Sequence, residues 1–253
     1  MLLPLALGLA LLNGCSVKED RASCPCRLDI LIPESGTSPE LMFSVRDRHK
    51  EICSGSVEMA SGGRCLTVDV PKDLISVYAL DKREGIGLIG RYVHIAEGCQ
   101  SDSLYSFYAS VNCVCESAVV TVSTMKQFST ISVKFGPECF DAGEVSGVRV
   151  RGNVSGLDLE TMSPLAGPFS FECPLDQDMT CSIRVPRQDD DSLELDALAA
   201  DGSTVCSFPL GRMISGRGFD WHEKALKDIL VDIDGSSEFD VRIDVAEWET
   251  GLI

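Results

Sequence analysis

The chain is poor in positive charge, in aromatic rings and in histidine. Against 39 Asp and Glu it carries 22 Lys and Arg, a formal net charge of −17. So acidic a chain repels phosphate backbones, which argues against nucleic acid as a partner. Aromatic residues make up only 6% of the chain, which leans against a glycan binder built on clustered rings, and Trp221 and Trp248 are read as packing against sheets. The three histidines, His49, His94 and His222, are scattered, and no spacing selects a Ser/Cys–His–Asp set. No G-x-S-x-G elbow, P-loop or H-E-x-x-H is found. Asp189-Asp190-Asp191 reads as a solvated loop, and Asp232-Ile-Asp234-Gly235 lacks the spaced oxygens and terminal Glu of an EF-hand. The expectation is a non-enzyme with no cofactor, no metal and no small-molecule substrate. After residue 12 no apolar run approaches membrane-spanning length, and no internal repeat has a fixed period.

What is present begins at the N-terminus. Residues 1–12 (MLLPLALGLALL) carry no charge, not even the Lys or Arg of an ordinary basic n-region. Then come Asn13, Gly14 and Cys15, followed at once by the polar stretch SVKEDRAS. The apolar stretch is too short to span a bilayer but suits the h-region of a secretory signal. Leu12 at −3 and Gly14 at −1 before Cys15 resemble the lipobox of bacterial lipoproteins. That resemblance implies cleavage between Gly14 and Cys15 and acylation of Cys15. Two or more acyl chains hold a protein on a membrane, where one alone binds marginally. The alternative is an ordinary signal with Cys15 a structural thiol. The polar switch at the Cys, and not after an A-x-A site, favours the lipobox. Removing 14 of 253 residues leaves 239, a length for one large or two ordinary domains.

Twelve cysteines point to an exported, disulfide-permissive setting. With Cys15 acylated eleven remain, so at least one is free or pairs with another chain. Cys24-Pro-Cys26 and Cys113-Val-Cys115 are C-x-C pairs that would share a strand face, and their strands could be neighbours bridged once or twice. Cys53 with Cys65, and Cys173 with Cys181, bracket turn-like stretches and look like hairpin partners. Zinc is the rival, but its structural sites favour C-x2–4-C spacing and His ligands.

Alternation with period two runs through most of the chain: Arg27 to Ile32, Arg64 to Val70, Ser129 to Phe135, Thr180 to Val185 and Phe239 to Val245. Each run is rich in Val, Ile, Phe or Thr and is bounded by Gly, Pro, Asp or Ser, the signature of half-buried strands. Turn signals at Ser61-Gly62-Gly63, Asp201-Gly202 and Asp234-Gly235 separate such runs, the pattern of β-sandwiches. His222 to Leu230 could form a short helix, and Gly156 through Pro168 reads as a loop. The alternating run from Leu104 to Thr124, interrupted near Glu116, marks the domain border. The fold predicted is all-β, with two antiparallel β-sandwich domains in tandem. The expected division is a signal peptide at 1–14, a lipidated tether at 15–23 and sandwiches at 24–117 and 118–253.

The opening Cys15-x2-Lys18-Glu19-Asp20-x3-Cys24-Pro25 resembles the mature start of the FimB-type fimbrial anchor lipoproteins of Bacteroidales, C-x-x-E-D-x-x-x-C-P, with one residue inserted before the acidic pair. Thr124 to Val133 resembles that family's first strand of the second domain. Leu226 to Asp234, Val241 to Val245 and Trp248 resemble its closing hairpin. The resemblance implies two transthyretin-like sandwiches and a lipid tether in the outer membrane. It also implies a role in attaching a polymeric type V fimbria to the cell and limiting its length. Subunits of that class join by strand addition, so the implied partner is a fimbrial shaft subunit. Lys18, Glu19 and Asp20 resemble the surface-export signal of lipoproteins in this phylum, which would place the protein on the outer membrane facing the exterior. A surface adhesin or glycan-binding module is the alternative function.

Overall fold

A computed structural model describes residues 24–33, 40–58, 63–81, 87–89, 91–137, 139–140, 144–234 and 240–246. In the first half the strands are β1 (Cys26–Ile32), β2 (Glu40–Arg46), β3 (Glu51–Glu58), β4 (Arg64–Val70) and β5 (Leu74–Asp81). There follow β6 (Gly87–Ile89), β7 (Tyr92–His94), β8 (Tyr105–Asn112), β9 (Ser117–Thr121) and β10 (Met125–Lys126). The second half runs β11 (Phe128–Phe135), β12 (Gly147–Asp158), β13 (Ser163–Pro174), β14 (Thr180–Pro186), β15 (Glu194–Leu198) and β16 (Thr204–Phe208). A helix of about two turns, α1 (Leu210–Gly216), precedes β17 (Asp228–Asp234) and β18 (Asp240–Ala246).

The period-two runs become strands because one face of each is apolar and finds a core. In β1, Cys26, Leu28, Ile30 and Ile32 point inward while Arg27, Asp29 and Leu31 face out. The same alternation places Cys181, Ile183 and Val185 of β14, and Ile229, Val231 and Ile233 of β17, in a second core. The first core lies between a three-stranded sheet, β4-β1-β9, and a five-stranded sheet, β10-β8-β5-β2-β3. The second lies between a four-stranded sheet, β14-β11-β17-β18, and a six-stranded sheet in which β16-β15-β12-β7-β6 is joined by β13 on β12. The molecule is therefore the tandem all-β sandwich that the alternation predicts.

Each half also holds one parallel pair, which alternation cannot reveal. β1 lies between antiparallel β4 and parallel β9, and β11 lies between antiparallel β14 and parallel β17. The two halves thus repeat an arrangement that leaves no period in the sequence.

Three expectations change. The border at 117/118 falls inside β9, which pairs with β1, and β10 still pairs with β8; the chain passes into the second half at Gln127. In the other direction β7, from the first half of the sequence, pairs with β12. Gly156 permits this approach, since a Cβ there would stand 2.2 Å from the Val93 carbonyl oxygen. The stretch expected as a loop from Gly156 to Pro168 is the tip of the long β12–β13 hairpin, turning at Met162, whose φ is +55°. The helix expected over His222–Leu230 does not form: 221–225 are turns and bends, and β17 follows. Ile229, Val231 and Ile233 instead alternate at strand period and are all buried, on a strand paired with β11 and β18. The helix present, α1, was not foreseen. Its Gly211 packs so closely on the Asp191 carbonyl, 2.4 Å from where a Cβ would stand, that any side chain would displace it.

Candidate functional site

Gly14, Cys15, Lys18, Glu19 and Asp20, the residues singled out at the N-terminus, lie outside the described residues, as does Trp248. The structure does show what the tether leads into. Described residues begin at Cys24, two positions before β1, the central strand of the three-stranded sheet.

That sheet ends on β9, whose sequence Ser117-Ala118-Val119-Val120-Thr121 contains neither charge nor proline. The Val122 N–H donates to the Leu31 carbonyl and the Glu116 carbonyl accepts from the Arg27 N–H, at 2.8 and 2.9 Å. Since a strand turns alternate residues to opposite edges, 116, 118, 120 and 122 bond to β1. The N–H and C=O groups of Ser117, Val119 and Thr121 point the other way, where no further strand pairs among the described residues. Val119 is 61% exposed and Leu31 on the adjacent strand 38%, giving the outer face a small apolar character. Beside it the Thr67 hydroxyl and the Arg27 guanidinium donate to Asp29, at 2.6 and 3.1 Å, and hold its carboxyl below the usual range.

Exposed edges are commonly protected by charge, proline or bulges. β4 carries Arg64 and Asp69, β3 carries Glu51 and Glu58, and β13 carries Pro164 and Pro168. β14 carries Arg184 and Pro186, and β18 carries Asp240, Arg242 and Asp244. β16 is uncharged too, but a register shift at Ala197/Leu198 distorts its pairing and Pro209 closes it. β9 is the long edge left without such a device.

A second feature is a cleft of about 220 Å³ on the outer face of the five-stranded sheet, lined by Met42, Ser44, Arg46, Glu51, Tyr78 and Arg91 among others. Glu51 accepts from Ser54 at 2.6 Å and Ser44 at 2.9 Å, and these bonds hold its carboxyl below the usual range. Arg91 pairs with Asp158 at 3.1 Å and with Glu160, and its guanidinium sits 5.1 Å from the Tyr92 ring centre. The cleft is small for a ligand site, and its main cation is already paired.

The other sequence candidates disperse. Trp221 is buried against Phe219, ring centres 4.7 Å apart, so it forms no surface platform. His49, His94 and His222 are each exposed on separate elements. Asp190 accepts from the Ser192 N–H at 2.9 Å, and Asp191 accepts from the Ser215 hydroxyl, which ties the acidic loop to α1. Among the described residues no three His, Cys, Asp or Glu side chains are grouped to hold an ion. No helix among them is long and apolar enough to cross a membrane.

The cysteines depart from the hairpin expectation. Cys53 on β3 and Cys65 on β4 belong to different sheets, as do Cys173 on β13 and Cys181 on β14. Within the C-x-C pairs, Cys26 and Cys113 are buried while Cys24 and Cys115 are exposed, so neither pair shares a face. All eleven described cysteines are thiols in this structure.

Fold and open edges together define a class: tandem β-sandwiches with an unprotected edge strand, of the kind that can accept a further strand. Among solved structures with this fold is the fimbrial anchor protein Mfa2 from Porphyromonas gingivalis, with a TM-score of 0.62 at 11% identity, covering 89% of this chain and 98% of that one. A Bacteroides thetaiotaomicron protein described as polysaccharide-binding matches with a TM-score of 0.63 at 14% identity, over 88% and 96%. A Bacteroides ovatus protein described as an adhesin gives 0.61 at 12% identity, over 92% and 98%. No protein-family model and no curated protein matches the sequence.

Proposed function

We propose that this protein is a non-enzymatic surface lipoprotein that anchors a polymeric fimbria to the outer membrane and limits its length by pairing with a shaft subunit. In this reading residues 1–14 are a removed leader and Cys15 carries the lipid. Lys18, Glu19 and Asp20 direct the protein to the cell exterior. Two sandwich units meet at Gln127. The observation that carries the reading is the open edge of β9. Its outward N–H and C=O groups at Val119 and Thr121 match what an extended segment of another subunit needs to bond. The shared fold with a fimbrial anchor supports it. So does β1, which begins three residues after the proposed tether and lies in the same sheet.

A second reading, a surface adhesin or glycan-binding module, is favoured by the cleft beside Arg46, Glu51 and Tyr78 and by the fold shared with a protein described as polysaccharide-binding. One experiment separates the two. Cys15→Ala is introduced in the native host, followed by cell fractionation and negative-stain imaging of fimbriae. Release of the protein together with shed or overlong fimbriae is the expected outcome. Release with normal fimbriae keeps the tether but transfers the role to the adhesin. Retention in the membrane fraction refutes the lipid attachment.

A further inference from the structure

The described thiols divide by burial. Cys24, Cys65, Cys99 and Cys115 are exposed, and the others lie in or against the two cores. Two pairs among the inner ones share a placement. Cys26 opens β1 in the three-stranded sheet, and Cys113 follows β8 of the five-stranded sheet. Both are 0% exposed and belong to the first core. The Arg27 N–H, bonded to the Glu116 carbonyl three residues after Cys113, brings the two segments together. Their sulfurs lie within hydrogen-bonding reach of each other. In the second half, Cys173 on β13 of the six-stranded sheet faces Cys181 on β14 of the four-stranded sheet, also within hydrogen-bonding reach. Both pack in the second core. Each pair therefore spans the gap between the two sheets of its own sandwich.

We propose that Cys26–Cys113 and Cys173–Cys181 close as disulfides that staple sheet to sheet, one in each half. The inference rests on the exported location proposed above, because disulfides persist in oxidising compartments. Each closure removes two protons and two electrons from two thiols. The acceptor is a disulfide-bearing oxidant of the envelope, itself reduced to two thiols. One cysteine thiolate attacks that disulfide and displaces a thiolate. The second cysteine thiolate then attacks the mixed disulfide, forms the Sγ–Sγ bond and displaces the other.

Burial sets the order of events. It pushes the Cys113 and Cys181 thiols from an ordinary 9.0 up to about 12. At neutral pH that leaves roughly a thousandfold less thiolate than a surface thiol offers, and the thiolate is the reactive form. The bonds accordingly form while the sheets are still open and resist exchange once enclosed. Cys115 is the competitor at the first pair. Its sulfur also reaches Cys26, but it is exposed and donates to the Ser117 carbonyl at 2.9 Å.

The test uses the full chain, purified reduced, unfolded, and refolded in mixed reduced and oxidised glutathione. It is then denatured, alkylated and digested without reductant. Peptides joined as Cys26–Cys113 and Cys173–Cys181 are expected, with a Tm about 10–20 °C above that of the reduced chain. The Cys113→Ala and Cys181→Ala variants should each lose only their own linkage. Cys26 joined to Cys115, or alkylation of all four residues in refolded protein, overturns the proposal. The same mapping on protein trapped in cells tests the export reading separately. Linkage in vitro with free thiols in the cell counts against export and leaves the pairing standing.

Discussion

At the scale of single residues, Asp196 shows how an acidic side chain is held in a buried setting. Asp196 on β15 is 2% exposed. Burial alone would raise its pKa, but the Arg151 guanidinium at 2.9 Å and the Ser207 hydroxyl at 2.6 Å outweigh that and hold it below the usual carboxylate range. A depressed folded-state pKa contributes stability that is present above the unfolded value, ~3.9, and is lost as pH falls through the folded value. Stability measured by chemical denaturation should therefore fall steadily below about pH 4. In Asp196→Asn, the protein should be less stable at pH 7, and the fall with acid should be shallower. An unchanged acid slope in this variant would show that Asp196 contributes nothing to it. The proposed roles of Cys15, Lys18, Glu19 and Asp20 belong to this scale as well and rest on sequence alone, since these residues lie outside the described ones. Trp221 was legible as a residue that packs, because a large ring in an aromatic-poor chain is worth most when buried.

Among the elements, β9 carries the functional argument. The alternating run that contains it reads as strand from sequence, yet whether a strand lies at an edge depends on its neighbours, and β9 sits beside β1 through a parallel pairing across 90 residues of chain, Arg27 against Ser117. Its outward groups can be removed one at a time. Val119 has its N–H at the open edge and an exposed side chain, so Val119→Pro deletes a donor without breaking a bond to β1. The variant should change stability by no more than about 1 kcal/mol and should lose most of its capture of the shaft subunit in a pull-down. Val119→Thr, which keeps the backbone donor, should retain it. Full capture by the proline variant would move the pairing edge elsewhere. The short helix illustrates the opposite case. HEKALKDIL carries helical residues, but its last three begin β17, where Asp228 is also needed to accept from the Thr130 N–H at 2.7 Å.

For the molecule as a whole, the seam between the halves is built, not incidental. β7 crosses to β12, and Tyr78, Leu80, Val93, Leu104, Leu157 and Leu159 form a third buried cluster there. Lys126 on β10 of the first half, 7% exposed, pairs with Asp228 on β17 of the second at 2.5 Å, and its ammonium sits 4.7 Å from the Phe128 ring centre. Buried Arg187 donates to Gln127 at 3.0 Å, to Lys224 at 3.2 Å and to the Trp221 carbonyl. Lys126→Ala removes a charge-assisted bond but leaves a partly exposed Asp228 that still accepts from the Thr130 N–H, so it should cost about 1–3 kcal/mol. It should also split a single unfolding transition into two as the halves uncouple, observable by calorimetry. A single transition at an unchanged Tm would mean that the ion pair does not tie the seam.

By itself the sequence determined that this chain is acidic, rich in cysteine, all-β, and headed by an apolar run over residues 1–12 that is followed closely by Cys15. These properties are local: charge, composition and period-two alternation act within a few residues of each other. The tertiary structure alone decided which edge is open, that β7 crosses to the second half, and which of the C-x-C cysteines meet, Cys26 with Cys113. Each of these depends on contacts between residues tens of positions apart, such as Cys26 with Cys113 and Gly156 with Val93. Alternation says which face of a strand is buried, and it carries no information about which strand lies beside it.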